Sequence, residues 1–145
     1  EYYKYLNNQY HLAVLEDPFF EDGWSSWKKI KDEFENQVLI VGDDLLATNP
    51  KRVEKASQEG ACNAILIKPN QVGTITETIK VIKMARDLKW KVVVSHRSGE
   101  TNDSFIADFA VGTGADYVKF GAPARGERVA KYNRLLSIEK VILSI

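Results

Sequence analysis

The chain has 145 residues, 44% of them hydrophobic and 28% charged, which is the size and composition of a single globular domain. Its 20 basic and 20 acidic residues cancel to a formal net charge of zero, so no global field recruits nucleic acid or an anionic membrane surface. No apolar run approaches the roughly 20 residues of a membrane-spanning helix. The opening EYYKYLNNQY has no signal-peptide character, and the lone cysteine, Cys62, has no internal disulfide partner, which makes a reducing, cytoplasmic setting the expectation.

In chain order, EYYKYLNNQ reads as a leading helix and HLAVLE (11–16) as the first strand. Trp24, Trp27, Ile30 and Phe34 recur at helical spacing before a second strand, QVLIVG (37–42). TNPKRVEKASQEG reads as a short helix, with Thr48 or Asn49 as its N-cap, Pro50 in its first turn and Gly60 at its C-terminal stop. NAILIK (63–68) is the third strand, and Ile75, Ile79, Ile82 and Ala85 mark the helix after it. KVVVS (91–95) is followed by a helix through Ile106, Phe109 and Ala110. YVKF (117–120) is followed by one through Val129, Tyr132 and Leu136.

The strands are short, continuous and aliphatic, as strands covered on both faces of a parallel sheet are. Strand–helix alternation of this kind fits either a doubly wound sheet or part of a (β/α)8 barrel. Five strands are visible where a closed barrel needs eight.

Every strand ends in polar or ionisable residues: Glu16 and Asp17, Asp43 and Asp44, Lys68, His96 and Arg97, and Lys119. They recur one β/α unit apart, so they emerge at the carboxyl edge of the sheet, where α/β folds carry their sites. Taken singly, each has a plain reading. An acid after a strand caps a helix or lies in a loop, a strand-end lysine is solvated, His96 is a hydrogen-bonded core residue, and Arg97 pairs with Glu100. The joint pattern supports a sharper one. Carboxylates from two strands suit a hard cation such as Mg²⁺. A lysine near a metal has its neutral amine favoured, and that amine accepts a proton. Arg97 and Ser98 offer donors matched to phosphate. Metal, lysine base and anionic substrate together suit removal of a proton α to a carboxylate.

LEDPFFEDGW, VGDDLLATNP, LIKPNQVGTITE, VVVSHRSGETNDSFIADFAVG and KFGAPARGERVAKYNRLLSIE resemble, in order, the C-terminal barrel motifs of the enolase family, from about Tyr10 to Glu139. The resemblance implies a partial TIM-type barrel of about five parallel strands, with residues 1–145 as the C-terminal portion of the barrel domain. The N-terminal domain and the first barrel strands would then lie outside this chain. It implies the Mg²⁺-dependent, reversible dehydration of 2-phosphoglycerate to phosphoenolpyruvate. In that scheme Glu16 and Asp43 hold Mg²⁺, Lys68 removes the C2 proton, and Lys119 contacts the substrate carboxylate. Ser95, His96, Arg97 and Ser98 form the substrate loop, with Arg97 and Ser98 toward the phosphate.

A further metal aspartate, the glutamate that assists loss of the C3 hydroxyl, a loop histidine and the serine loop that joins the second metal belong upstream in that family. The expectation is therefore a piece that is inactive alone and that associates with the remainder of an enolase or with itself. Two alternatives stand beside it: another lyase of the wider superfamily acting on a different carboxylate, and a non-catalytic protein-binding role.

Overall fold

The computed structural model describes residues 1–34 and 37–144. A leading helix α1 (Tyr2–Tyr10) precedes β1 (Val14–Glu16), α2 (Trp24–Phe34), β2 (Leu39–Gly42), α3 (Pro50–Glu59) and β3 (Ala64–Ile67). A single turn, α4 (Pro69–Val72), and then α5 (Ile75–Asp87), β4 (Lys91–Ser95), α6 (Phe105–Gly112), β5 (Tyr117–Lys119) and α7 (Gly126–Leu143) complete the described chain. Each strand and long helix expected from the residue pattern is present; β4 keeps the expected bounds and the other four strands are trimmed at their ends. The short α4 was not anticipated. Pro69 pre-sets its first turn, and Gly73, at φ 94°, ends it.

The local signals act as their chemistry dictates. Asn49 Oδ1 accepts the backbone N–H groups of Lys51 and Arg52, so Asn49 rather than Thr48 caps α3. Gly60 closes that helix in the left-handed conformation, at φ 64°, where a side chain would be strained.

All five strands pair in parallel, in the order β1-β2-β3-β4-β5. A doubly wound sheet reverses its strand order at a switch point. Strictly sequential order is that of a singly wound barrel, and the choice left open by the strand–helix alternation is settled in the barrel's favour. The sheet is curled into a half-barrel. Glu16 at the end of β1 forms an ion pair with Lys119 at the end of β5, although these are the two outermost strands. In a flat sheet four inter-strand gaps would separate them by roughly 19 Å, more than the two side chains bridge.

The two faces of the curl differ. On the convex side Ile40, Ile65, Ile67, Val92 and Val94 pack with Trp27, Val53, Val81, Ala85 and Phe109 from the helices into the main core. On the concave side Val41, Ala64, Leu66 and Val93 form a second, smaller cluster with Leu39 against it. Trp27 and Cys62 lie in the main core, and burial pushes the Cys62 thiol far above its usual range, so it is an inert apolar filler. Because Ile65 has no solvent exposure and its neighbours come from several elements, Ile65→Ala lowers the unfolding free energy by about 2–5 kcal/mol. Chemical denaturation checks this, and a loss below 1 kcal/mol would mean that the convex core is not the main source of stability.

Candidate active site

Side-chain alternation carries the polar strand ends onto the concave face. Leu39 and Val41 of β2, Ala64 and Leu66 of β3, and Val93 of β4 face inward. Continued by steps of two, that series reaches Asp43, Lys68 and Ser95. Glu16 and Lys119 line the same groove as Val14, Leu39, Val41, Leu66 and Val93.

The rim residues are joined in one circuit. Lys119 donates to Glu16. The His96 N–H donates to the Lys119 carbonyl at 3.1 Å. The Arg97 guanidinium donates to Asn70 Oδ1 at 3.3 Å, which links the β4 loop to α4 beside Lys68. Lys68 Nζ lies 2.7 Å from Asp43 Oδ1. The Asp43 N–H donates to Asp17 Oδ1 at 2.9 Å, and Asp17 follows Glu16 in the chain. Every candidate is thus in this circuit except Ser95 and Ser98, which flank its His96–Arg97 segment in sequence. Ser98 lies exposed in the turn that follows Arg97.

The two ion pairs differ in character. Asp43 and Lys68 retain only 10% and 13% side-chain exposure, whereas Glu16 and Lys119 retain 30% and 47%. The first pair is held in nearly dry surroundings; the second opens to solvent, where a pair adds little to stability.

The backbone beneath the Asp43–Lys68 pair is specified closely. A Cβ on Gly42 would lie 2.7 Å from Leu46 Cγ, so the chain reaches Asp43 through a position that admits only glycine without a shift of the leucine. Asp17, itself at φ 41°, also accepts the Asp44 N–H at 2.7 Å. Burial raises its carboxyl above the usual aspartate range, against the two N–H bonds that favour the charged form. Thr48 is fully buried and left-handed at φ 52°, a conformation that costs a β-branched residue about 1–3 kcal/mol. Its hydroxyl accepts the Lys68 N–H at 3.0 Å and donates to Gln71 Oε1 at 2.9 Å, which holds the lysine's backbone in place. Its left-handed backbone carries no sequence signature; a Thr-Asn-Pro run suggests only a cap.

The loop after β4 is equally constrained. Ser95 is buried and spends its hydroxyl on the His96 carbonyl at 2.8 Å. His96 is half-buried, its ring centroid 6.4 Å from that of Phe120, and its Nδ1 has no hydrogen-bond partner among the described residues. Burial lowers its pKa; Glu100 opposes this, while Lys131, Arg128 and Lys119 add to it. Glu100 does not meet the Arg97 guanidinium. Its Oε1 accepts the Arg97 backbone N–H at 3.1 Å.

Asp43 also belongs to a group of three acids, with Asp17 and Asp44, whose carboxylate oxygens lie within 4.8 Å of one another. Glu16 is not in that group, because its carboxylate is turned to Lys119. Both Asp17 oxygens are already taken by N–H donors.

A sequentially wound parallel half-barrel with carboxylates, lysines and a guanidinium at the carboxyl ends of its strands is the architecture of a TIM-barrel protein and its site. The family model described as "Enolase, C-terminal TIM barrel domain" matches residues 1–144. The chain belongs to the enolase family. It is 54% identical over 138 residues to an enolase of Solanum lycopersicum, covering 95% of this chain and 31% of that protein. It is 53% identical over 145 residues to enolase 1 of Entamoeba histolytica, covering 100% of this chain and 33% of that one. An enolase of Mastigamoeba balamuthi is 49% identical over 138 residues. The chain therefore spans about a third of the length of these relatives.

Burial alone would raise the Glu100 carboxyl, but the Lys131 hydrogen bond and the Arg97 N–H outweigh it, so Glu100 titrates below the ordinary glutamate range. A depressed carboxyl stabilises the fold above its unfolded value and loses that contribution as pH falls through its folded value. Thermal unfolding measured across the acid range therefore shows a stability loss that Glu100→Gln flattens; an unchanged profile would contradict the assignment.

Proposed function

We propose that this chain supplies the C-terminal part of an enolase barrel, residues 1–145, which works with an upstream part to dehydrate 2-phosphoglycerate reversibly to phosphoenolpyruvate, a glycolytic and gluconeogenic step. The observation that carries the reading is the closed circuit at the rim. It brings two lysines, two carboxylates from different strands and the Arg97 loop around one mouth.

In this reading the Lys68 amine takes the C2 proton. The C–H electron pair moves onto the substrate carboxylate, which gains a second negative charge, and the Lys119 ammonium lies where that charge develops. Loss of the C3 hydroxyl then completes the double bond. Arg97 and Ser98 hold the phosphate from the β4 loop, and His96 orients the substrate beside them.

Metal binding is tested by the donor set. Glu16 and Asp43 present hard carboxylate oxygens from neighbouring strands, each now neutralised by a lysine, and such donors fit a divalent cation. Glu16 and Asp43 would hold Mg²⁺, which when bound offsets the charge building on the substrate carboxylate. In this reading the further metal carboxylate and the acid for the leaving hydroxyl come from the upstream part, and residues 1–145 turn over substrate only when joined to it. Its two sheet edges, where Val14, Tyr117 and Val118 are exposed, are where that part or a second copy would add strands. The single buried cysteine suits the cytoplasm.

Two experiments test this. Co-expressed with the upstream part of an enolase, the wild-type chain dehydrates 2-phosphoglycerate, and Lys68→Ala lowers kcat by roughly 10²–10⁴-fold; an inactive wild-type assembly, or a fully active Lys68→Ala, refutes the reading. Stripping divalent metal with a chelator abolishes turnover, and Mg²⁺ restores it. Turnover that survives exhaustive chelation would remove Glu16 and Asp43 from the metal role.

A further inference from the structure

Lys131 is the only buried residue of α7, with no solvent exposure, and the reaction above makes no use of it. Its Nζ is surrounded by four oxygens. It donates to the carbonyls of Thr101, Asp103 and Glu127, each at 2.9 Å, and pairs with Glu100 Oε2 at 2.7 Å. Glu127 lies in the first turn of the same helix. The other three belong to the loop between β4 and α6. An ammonium has three protons, and three of the four oxygens around this one belong to that loop.

The consequence reaches Arg97. Glu100 bridges Lys131 to the Arg97 backbone N–H through its two oxygens, so the turn through Ser98 and Gly99 is closed from below by a buried charge. The rest of the loop is tied in the same way. Asp103 donates its N–H to Thr101 Oγ1 at 3.2 Å and accepts the Phe105 N–H at 2.8 Å. Stability alone does not account for the arrangement, because a well-packed apolar side chain often serves as well as a buried ion pair. A lysine with three of its four oxygen contacts in one loop ties that loop to its own helix and specifies the loop's shape.

We propose that Lys131 is a positioning residue for substrate binding, setting through Glu100 the turn that presents Arg97 and Ser98 to an anionic group. The inference rests on the enolase reading above only in naming that anion as the phosphate of 2-phosphoglycerate. Lys131 touches no reacting atom, so its loss weakens ground-state and transition-state binding alike.

The test uses the assembled enzyme with three chains: wild type, Lys131→Met and Glu100→Gln. Wild-type turnover is measured first, and its absence rejects the enolase reading and leaves the loop to be judged by amide exchange alone. Lys131→Met raises KM for 2-phosphoglycerate by about tenfold and leaves kcat within about threefold. It also speeds exchange of the Arg97 and Asp103 amides without changing that of Val92–Val94. An unchanged KM and unchanged loop exchange overturn the proposal, as does a kcat loss with KM preserved. If Lys131→Met does not fold, Glu100→Gln decides, since it removes the charge and leaves one side-chain oxygen where Lys131 and the Arg97 N–H now use two. A raised KM at constant kcat with near-native thermal stability supports the positioning role, and an unchanged KM overturns it.

Discussion

The contact between Glu16 and Lys119 joins the first and last strands of a five-stranded sheet, and the whole rim depends on the curl it requires. The ion pair does not cause that curl. With nearly half of the lysine side chain exposed, its net worth is small beside the apolar surface buried on the convex side. The curl comes from strand twist and from helices that pack against one face of the sheet alone. The pair marks where the two edges have been brought. Once the sheet is bent this way, residues that are distant in sequence face one another across a short mouth, and side chains at the carboxyl ends of five strands act on one small molecule.

Stability and function pull apart at that mouth. The convex core is aliphatic and continuous, with neighbours from nearly every helix. The rim instead contains a nearly dry Asp43–Lys68 pair, a threonine in a left-handed conformation, and a buried lysine that fastens a loop. None of these is the most stable choice for its position. Groups that weaken a fold locally and cluster at strand ends are the mark of a site whose geometry has been fixed for chemistry. The core must be strong enough to hold them there.

Much of this was legible in the residues. Five aliphatic runs, each ended by polar groups one β/α unit apart, identify the parallel sheet and the edge that carries the site. Pro50 and Gly60 bound α3, with Thr48 or Asn49 as its cap, and the structure selects Asn49. The inward series through Val41 to Asp43, and through Leu66 to Lys68, is a period-two signal that needs only the strand assignment. Strand–helix alternation alone did not decide between a doubly wound sheet and a barrel, because strand order is a property of packing, not of local pattern; the enolase motifs implied the barrel, and the sequential strand order is that of a barrel. Nor were the supports: Asp17 beneath Asp43, Thr48 beneath Lys68 and Lys131 beneath Glu100. Each works through backbone groups of a different element. A lysine in a helix looks solvated until the loop that folds over it is known.

The most direct measurement is a crystal structure of the assembled protein with Mg²⁺ and 2-phosphoglycerate. The account predicts the metal on Glu16 and Asp43, C2 of the substrate facing Lys68 Nζ, the carboxylate beside Lys119, and the phosphate on Arg97 and Ser98. A substrate seated away from this rim, or one whose C2 points away from Lys68, would contradict it.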